Sequence, residues 1–204
     1  MDQKLFHRRV IMTVFGVCLC GFSVGIFTFS NLGMDPFQVL AHGLWNLTSF
    51  SFGTFYVILN AVMLVFVFVL DRSKIGLGTL INLFLLGYIA DFSLGLWNRL
   101  FPDPSLTVRV VSLIFALVLI CLSSALYMTS DLGVSTYDAA ALIISERYPR
   151  LPFRLVRIGT DLFCVIVGVL FGGVAGIATI ITAFFMGPLI SWFNKTIAIP
   201  LLNR

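Results

Sequence analysis

Between Val10 and Phe29 the chain carries no charged side chain. About 20 predominantly apolar residues is the length at which a helix crosses the hydrocarbon of a bilayer. Inside a bilayer only a helix or a closed barrel satisfies its own backbone. Five more apolar stretches follow, so six spans are expected: Val10–Phe29, Gly53–Leu70, Ile75–Trp97, Thr107–Thr129, Arg154–Gly172 and Val174–Phe193. The composition agrees, with 11% charged and 59% hydrophobic residues among 204, where a soluble domain has roughly 25% charged. Too few polar residues are present to cover a soluble surface. That excludes a soluble enzyme, a disordered chain and a secreted disulfide scaffold. Cys18, Cys20, Cys121 and Cys164 lie in apolar stretches and read as reduced packing residues.

The sparse charges orient the chain. Lys4, Arg8 and Arg9 before the first span resemble a signal-peptide n-region. The apolar run is longer than a usual signal core, however, and no clear A-x-A-like site follows, so it is kept as a span. With the N-terminus in the cytoplasm, six spans put Lys4, Arg8, Arg9, Arg72, Lys74, Arg147, Arg150, Arg154, Arg157, Lys195 and Arg204 inside. Only Arg99 and Arg109 fall outside, 2 of the 13 basic residues. This is the positive-inside pattern, with both termini cytoplasmic. The net charge of +4 therefore marks span ends, and nucleic acid is not an expected partner.

The chain also matches itself. Ser30-Asn31-Leu32-Gly33 parallels Ser130-Asp131-Leu132-Gly133, an offset of 100. At that offset Phe15, Leu19, Ser23 and Ala41 recur as Phe115, Leu119, Ser123 and Ala141, and Gly76, Thr79, Ile81, Phe84 and Gly87 as Gly176, Thr179, Ile181, Phe184 and Gly187. In the middle the offset is 101, where Phe52 meets Phe153 and Asn60 meets Asp161. The Gly, Ser and Thr matches weigh most, because apolar matches arise readily by chance. Repeat one covers about residues 8–98 and repeat two about 107–196 of a single membrane domain. Three spans per repeat is an odd number, so the second repeat enters the membrane inverted. Such repeats build secondary transporters that bind substrate near the midplane. They also build channels and other membrane folds.

Each repeat has a short segment after its first span, Asp35–Asn46 and Ser135–Glu146, too short to cross. Gly33 and Gly133 permit sharp turns. Asp35 reads as an N-cap with Pro36 at the first helical position, and Ser135 as an N-cap with Asp138 three residues on. Helix N-termini carry partial positive charge and free N–H groups, which suits an anionic small molecule. Gln38, His42 and Asn46 make a polar stripe opposite Phe37, Leu40, Leu44 and Leu47. Two readings stand: an amphipathic helix at the interface, or a half-helix whose polar stripe lines a cavity.

The candidate substrate-binding residues are Asp35, Gln38, His42, Asn60, Asp138 and Asp161. Asp138 reads either as a substrate or proton group or as part of a helix cap. Asp161, inside the fifth span, is a functional candidate by its position, or the partner of Arg157 four residues earlier. Asn82 and Thr182 match across the repeat and suit interhelical hydrogen bonds. Asp91 is expected near the outer headgroups. The two histidines, His7 and His42, form no H-E-x-x-H pattern. There is no P-loop, G-x-S-x-G elbow or zinc cluster. No enzyme, cofactor or metal is expected.

Pro36-Phe37-Gln38-Val39-Leu40 with Gly43-Leu44 resembles the P-W-D-V-L-x-x-G-L element of the YczE/YitT-type bacterial membrane proteins. Ser51-Phe52-Gly53-Thr54 and Gly76-Leu77-Gly78-Thr79 resemble its next elements. So do Asp138, Arg154-Leu155-Val156-Arg157, Phe171-Gly172-Gly173 and Gly187-Pro188. The resemblance runs from about Gly25 to Phe193 and implies a bacterial inner-membrane protein without naming a substrate. Gln38 stands where the family commonly has Asp and Thr136 where it commonly has Pro, which argues against a symmetric two-carboxylate mechanism. The leading expectation is a small secondary transporter or permease. The alternatives are a substrate-binding membrane subunit of a larger ATP-driven importer and a non-transporting membrane scaffold. Six short spans make a thin bundle, which suits a homodimer.

Overall fold

Small residues decide how closely the helices approach. The computed structural model describes residues 3–148, 150 and 153–203, the side chains of Phe153 and Arg154 excepted; Arg204 and the Arg154 side chain, both counted above as cytoplasmic, thus lie outside it. All regular structure among the described residues is helical: α1 (Gln3–Ser30), α2 (Pro36–Trp45), α3 (Phe52–Asp71), α4 (Leu77–Leu100), α5 (Leu106–Ser130), α6 (Thr136–Arg147), α7 (Phe153–Leu170), α8 (Ile177–Phe184), α9 (Met186–Phe193) and α10 (Ile199–Asn203).

α1 is the central rod. Gly21 and Gly25 lie against the α4 backbone at Leu86 and Ala90, and Ser93 donates to the Phe22 carbonyl at 2.7 Å, so α1 and α4 run parallel. On its other side α1 meets α5 antiparallel. Ser23 Oγ donates to the Ala116 carbonyl (2.8 Å) and Ser123 Oγ to the Gly16 carbonyl (2.7 Å), while Arg9 near the start of α1 pairs with Asp131 just past the end of α5 at 3.3 Å. Both members of the first hydrogen bond recur in the second at an offset of 100. In a bilayer, where burial of apolar surface does not drive helices together, close backbone approach and such bonds hold the pair.

Two left-handed turns tie the short helices in place. Asn31 (φ 53°) and Gly33 (φ 100°) end the first, and Asp131 (φ 51°) and Gly133 (φ 107°) the second. The Leu32 carbonyl accepts from Ala178 N–H at 3.1 Å, before its helix has turned once, and the Leu132 carbonyl accepts from Gly78 N–H at 2.7 Å. A Cβ at Gly33 would lie 2.5 Å from Gly176 N, and one at Gly76 2.1 Å from the Leu132 oxygen. Each turn therefore docks on the start of a helix from the other half of the chain.

The single helices α1, α3, α4 and α5 are long and apolar enough to cross a membrane. α8 and the helical stretch from Met186 make a fifth candidate, bent by 56°. The expected fifth span, Arg154–Gly172, forms α7, whose 18 residues include Arg154, Arg157 and Asp161. Its inward stripe is Arg157, Asp161, Cys164 and Gly168, and its outer face is Leu155, Ile158, Leu162, Phe163 and Ile166, all exposed. α3 likewise exposes Val62, Val65, Phe66 and Val69. Apolar faces this extensive suit lipid contact. All four cysteines are free thiols.

Candidate functional site

α2 begins as its sequence dictates. Asp35 caps it, Oδ1 accepting from Phe37 N–H (3.2 Å) and Gln38 N–H (3.3 Å), with Pro36 at the first position. Such a cap satisfies donors that a helix start leaves free. α6 begins the same way, Ser135 Oγ accepting from Asp138 N–H at 3.1 Å. The Ser135 hydroxyl also donates to Asp138 Oδ2 at 2.7 Å. The two starts meet: the Phe37 ring stacks on the Tyr137 ring, centroids 4.9 Å apart and planes at 18°. These rings occupy matched positions, 100 residues apart.

α2 is enclosed on both faces. Gln38 and His42 on its polar stripe are buried, and on its apolar face Phe37 is buried and Leu40 and Leu44 are half-buried. An interfacial amphipathic helix keeps its polar stripe in water, so α2 is instead a helix of the interior that carries polar side chains inside the fold. α2 can sit this deep because Gly43 lies against the Gly168 carbonyl and Gly168 against Val39, backbone to backbone with α7. Asn46, third on the stripe, is exposed and donates from Nδ2 to the Phe171 and Gly172 carbonyls (3.3 and 3.2 Å), pinning the C-terminal end of α2 to the end of α7.

Around the stacked rings the polar residues divide by half. In the second half Arg157 is the hub. Its Nη1 pairs with Asp138 Oδ1, its Nε lies 3.4 Å from Asp161 Oδ1, and its guanidinium sits 4.5 Å from the Tyr137 ring centroid. Tyr137 donates its hydroxyl to Asp161 at 2.6 Å. Asp138 and Asp161, singled out separately from sequence, thus belong to one cluster, and the pair expected within α7 is half of it. In the first half the counterparts are neutral. Asn60 is 2% exposed, accepts from Thr136 Oγ1 at 2.6 Å and donates to the Tyr56 carbonyl at 2.9 Å. Gln38, matched to Asp138, lies beside the Tyr56 hydroxyl, and Tyr56 is matched to Arg157 at the 101 offset. Gln38 Oε1 is buried and closes no hydrogen bond. Asp35 lies within electrostatic reach of both Arg157 and Asp161.

Five of the six candidates, Asp35, Gln38, Asn60, Asp138 and Asp161, therefore surround the Phe37–Tyr137 contact. His42 stands one turn along α2, its Nε2 3.0 Å from Thr28 Oγ1 and its ring 4.2 Å from that of Phe52. Asp91 accepts from Gly53 N–H at 2.7 Å, fastening the start of α3 to α4. One expectation changes: Thr182 donates to the Thr179 carbonyl of its own turn rather than across helices. The aromatic members Phe37, Tyr56 and Tyr137 were not singled out from sequence. For Phe37 and Tyr137 the signal was the matched spacing, an aromatic two residues after each cap.

The chain aligns over residues 7–195 with the model of a family described as "Family of unknown function (DUF6198)". It is similar to an "Uncharacterized protein" of Haemophilus influenzae, 30% identical over 94% of this chain and 86% of the relative. It is also similar to the "Uncharacterized membrane protein YczE" of Bacillus subtilis, 27% identical over 100% of this chain and 92% of that protein. A third relative is the "Uncharacterized protein YyaS" of the same species, 27% identical over 93% of this chain and 94% of that one. No solved structure matches. With apolar helices this long and a family match across nearly its whole length, the chain is a multi-pass membrane protein and belongs to the DUF6198 family, the family of YczE-type membrane proteins.

Proposed function

We propose that this protein is a small secondary transporter or permease of the bacterial inner membrane, crossing six times as two inverted three-span repeats with both ends in the cytoplasm. The observation that carries the reading is the meeting of two matched half-helices, start to start, at the Phe37–Tyr137 stack beside a cluster of ionisable residues. A pseudo-two-fold axis through that contact relates Ser23–Ala116 to Ser123–Gly16 and Leu32–Ala178 to Leu132–Gly78. The antiparallel pairing of α1 with α5 supports the inversion. α7 and the bent stretch from α8 supply the crossings that length and apolarity alone leave open: α7 turns its charges inward, and its outer face is apolar. Asn60 and Asp161 lie eight residues into α3 and α7. At 1.5 Å per residue that is about 12 Å, a depth that suits the middle of a bilayer core for helices starting at its edge.

In this reading the cluster is a substrate site reached alternately from each side. The expectation of an anionic ligand rested on two helix N-termini. Asp35 and Asp138 already sit at them, so the ligand's charge follows from the whole cluster. The protein is not an enzyme in this reading, and a homodimer would thicken the bundle. The test is uptake by proteoliposomes screened against amines, carboxylates and neutral metabolites. Asp138→Asn and Asp161→Asn are each expected to cut uptake at least about tenfold, the effect of losing one charge interaction of about 1.4 kcal/mol, while still inserting. Full uptake by both variants removes the cluster from the mechanism. Co-purification with an ATPase pair favours the importer-subunit reading instead.

A further inference from the structure

The charges around the stacked rings do not balance. Asp35, Asp138 and Asp161 bring three carboxylates, and Arg157 brings one guanidinium. The N-termini of α2 and α6 each add roughly half a positive charge. With the carboxylates ionised, one positive charge is missing. Asp138 is partly exposed, but Asp161 is 14% exposed and Asp35 half-buried, and charge held away from water without compensation is costly.

An independent observation says where that charge belongs. Gln38 is 4% exposed, and its Oε1 accepts no hydrogen bond. A buried acceptor without a donor costs about 1–3 kcal/mol. The matched position in the second half is Asp138, and there the donor is present: Arg157 reaches it while lying over the Tyr137 ring. The first half has the corresponding ring, Phe37, and the corresponding acceptor, Gln38, but Tyr56 where the arginine would be. Tyr56 brings no charge, so the first half lacks the cation that Arg157 supplies in the second. A metal ion fits poorly. Among the described residues no group of three or more His, Cys, Asp or Glu side chains is arranged to hold one. The ligand must donate hydrogen bonds rather than be chelated.

Resting on the reading of this cluster as a substrate site, we propose that it binds the ammonium head of a small protonated amine, which donates to Gln38 Oε1 and faces Asp35, as Arg157 does for Asp138. The aromatic walls of Phe37 and Tyr56 receive the amine's carbon part, since aromatic rings attract ammonium groups.

The experiment is thermal unfolding of the full chain in lipid nanodiscs, titrated with methylammonium chloride, with sodium chloride and sodium acetate at equal ionic strength as controls. Methylammonium is expected to raise Tm saturably and the controls to leave it unmoved. Asp35→Asn keeps an oxygen for the α2 cap and is expected to raise the half-saturating concentration at least about tenfold. Gln38→Met keeps the shape, removes the acceptor and is expected to do the same, so it decides the matter if Asp35→Asn does not fold. No response to methylammonium, an equal response to sodium, or a response unchanged in the folded variants overturns the proposal. Stabilisation by lowered pH without any amine effect also overturns it, the missing charge then being a proton. Saturable binding without uptake sinks the transport reading and leaves this one, and uptake of an acidic solute without an amine response does the opposite.

Discussion

Arg157 shows how much one side chain can hold. It bridges Asp138 on α6 to Asp161 on its own helix and covers Tyr137, so it fixes the angle at which α6 meets α7. Arg157→Met keeps the apolar stem and leaves both carboxylates without their cation. The expected cost is about 1–3 kcal/mol, the range for groups left unsatisfied. The 42% exposure of the Asp138 side chain keeps it towards the low end. Adding Asp161→Asn to Arg157→Met should recover part of the loss, and a double-mutant cycle read by thermal unfolding in detergent measures it. A loss in the double variant equal to the sum of the two single losses would show that the pair contributes nothing. The residues of this cluster were legible one at a time, because an ionisable group in an apolar run stands out. Their convergence was not. The bond from Thr136 to Asn60 joins positions 76 residues apart, and no local pattern encodes such a pairing.

At the scale of elements, the turns carry the most information per residue. Leu-Gly followed by Asp35 or Ser135 announced a left-handed turn and a capped helix, and both form with the expected caps. What each turn docks on was not announced. Gly133 needs its positive φ for the turn and its missing Cβ for the contact, since a Cβ there would sit 2.7 Å from Gly76 N. Gly133→Ala should therefore destabilise by about 2–4 kcal/mol, adding left-handed strain to overpacking. Gly95, with nothing within 4 Å of its would-be Cβ, is the control, and Gly95→Ala should be neutral or slightly stabilising. Thermal aggregation of the two purified variants compares them directly. The facing of α2 could not be chosen from its sequence, because a polar stripe serves a headgroup region and a polar interior equally well. Its burial of Gln38 and His42 depends on Gly168 and Gly173 more than a hundred residues on, which admit its backbone.

For the whole molecule, the apolar runs located the long helices to within a few residues, except at the two outermost boundaries: α1 starts at Gln3 rather than Val10, and the last helical stretch continues to Asn203 past the expected end at Phe193. Runs of that kind reflect the solvent directly. They did not reveal the 56° bend between α8 and the stretch from Met186, although its local cause is in the sequence: Pro188 has no N–H to give the Phe184 carbonyl four residues back, and its ring crowds that group. The proposed six-span arrangement makes a whole-molecule prediction. In a cysteine-free background, Ser73→Cys should be labelled by an impermeant thiol reagent only after the membrane is opened, and Ser105→Cys in intact cells. Labelling of both from the same side would remove the proposed topology.

The exchanged contacts between α1 and α5, and between each turn and the opposite helix start, have a consequence for how the chain is made. While only its first hundred residues have left the ribosome, Ser23 has no Ala116 to bond, and the Leu32 carbonyl has no Ala178. The early segment must wait in the lipid with its seam open until the later one has been synthesised and inserted. Assembly is then a late zippering, and a nascent chain arrested before α8 would display polar backbone that only the missing remainder can quench. Membrane quality control would meet such a product as an unfinished surface rather than as a smaller protein.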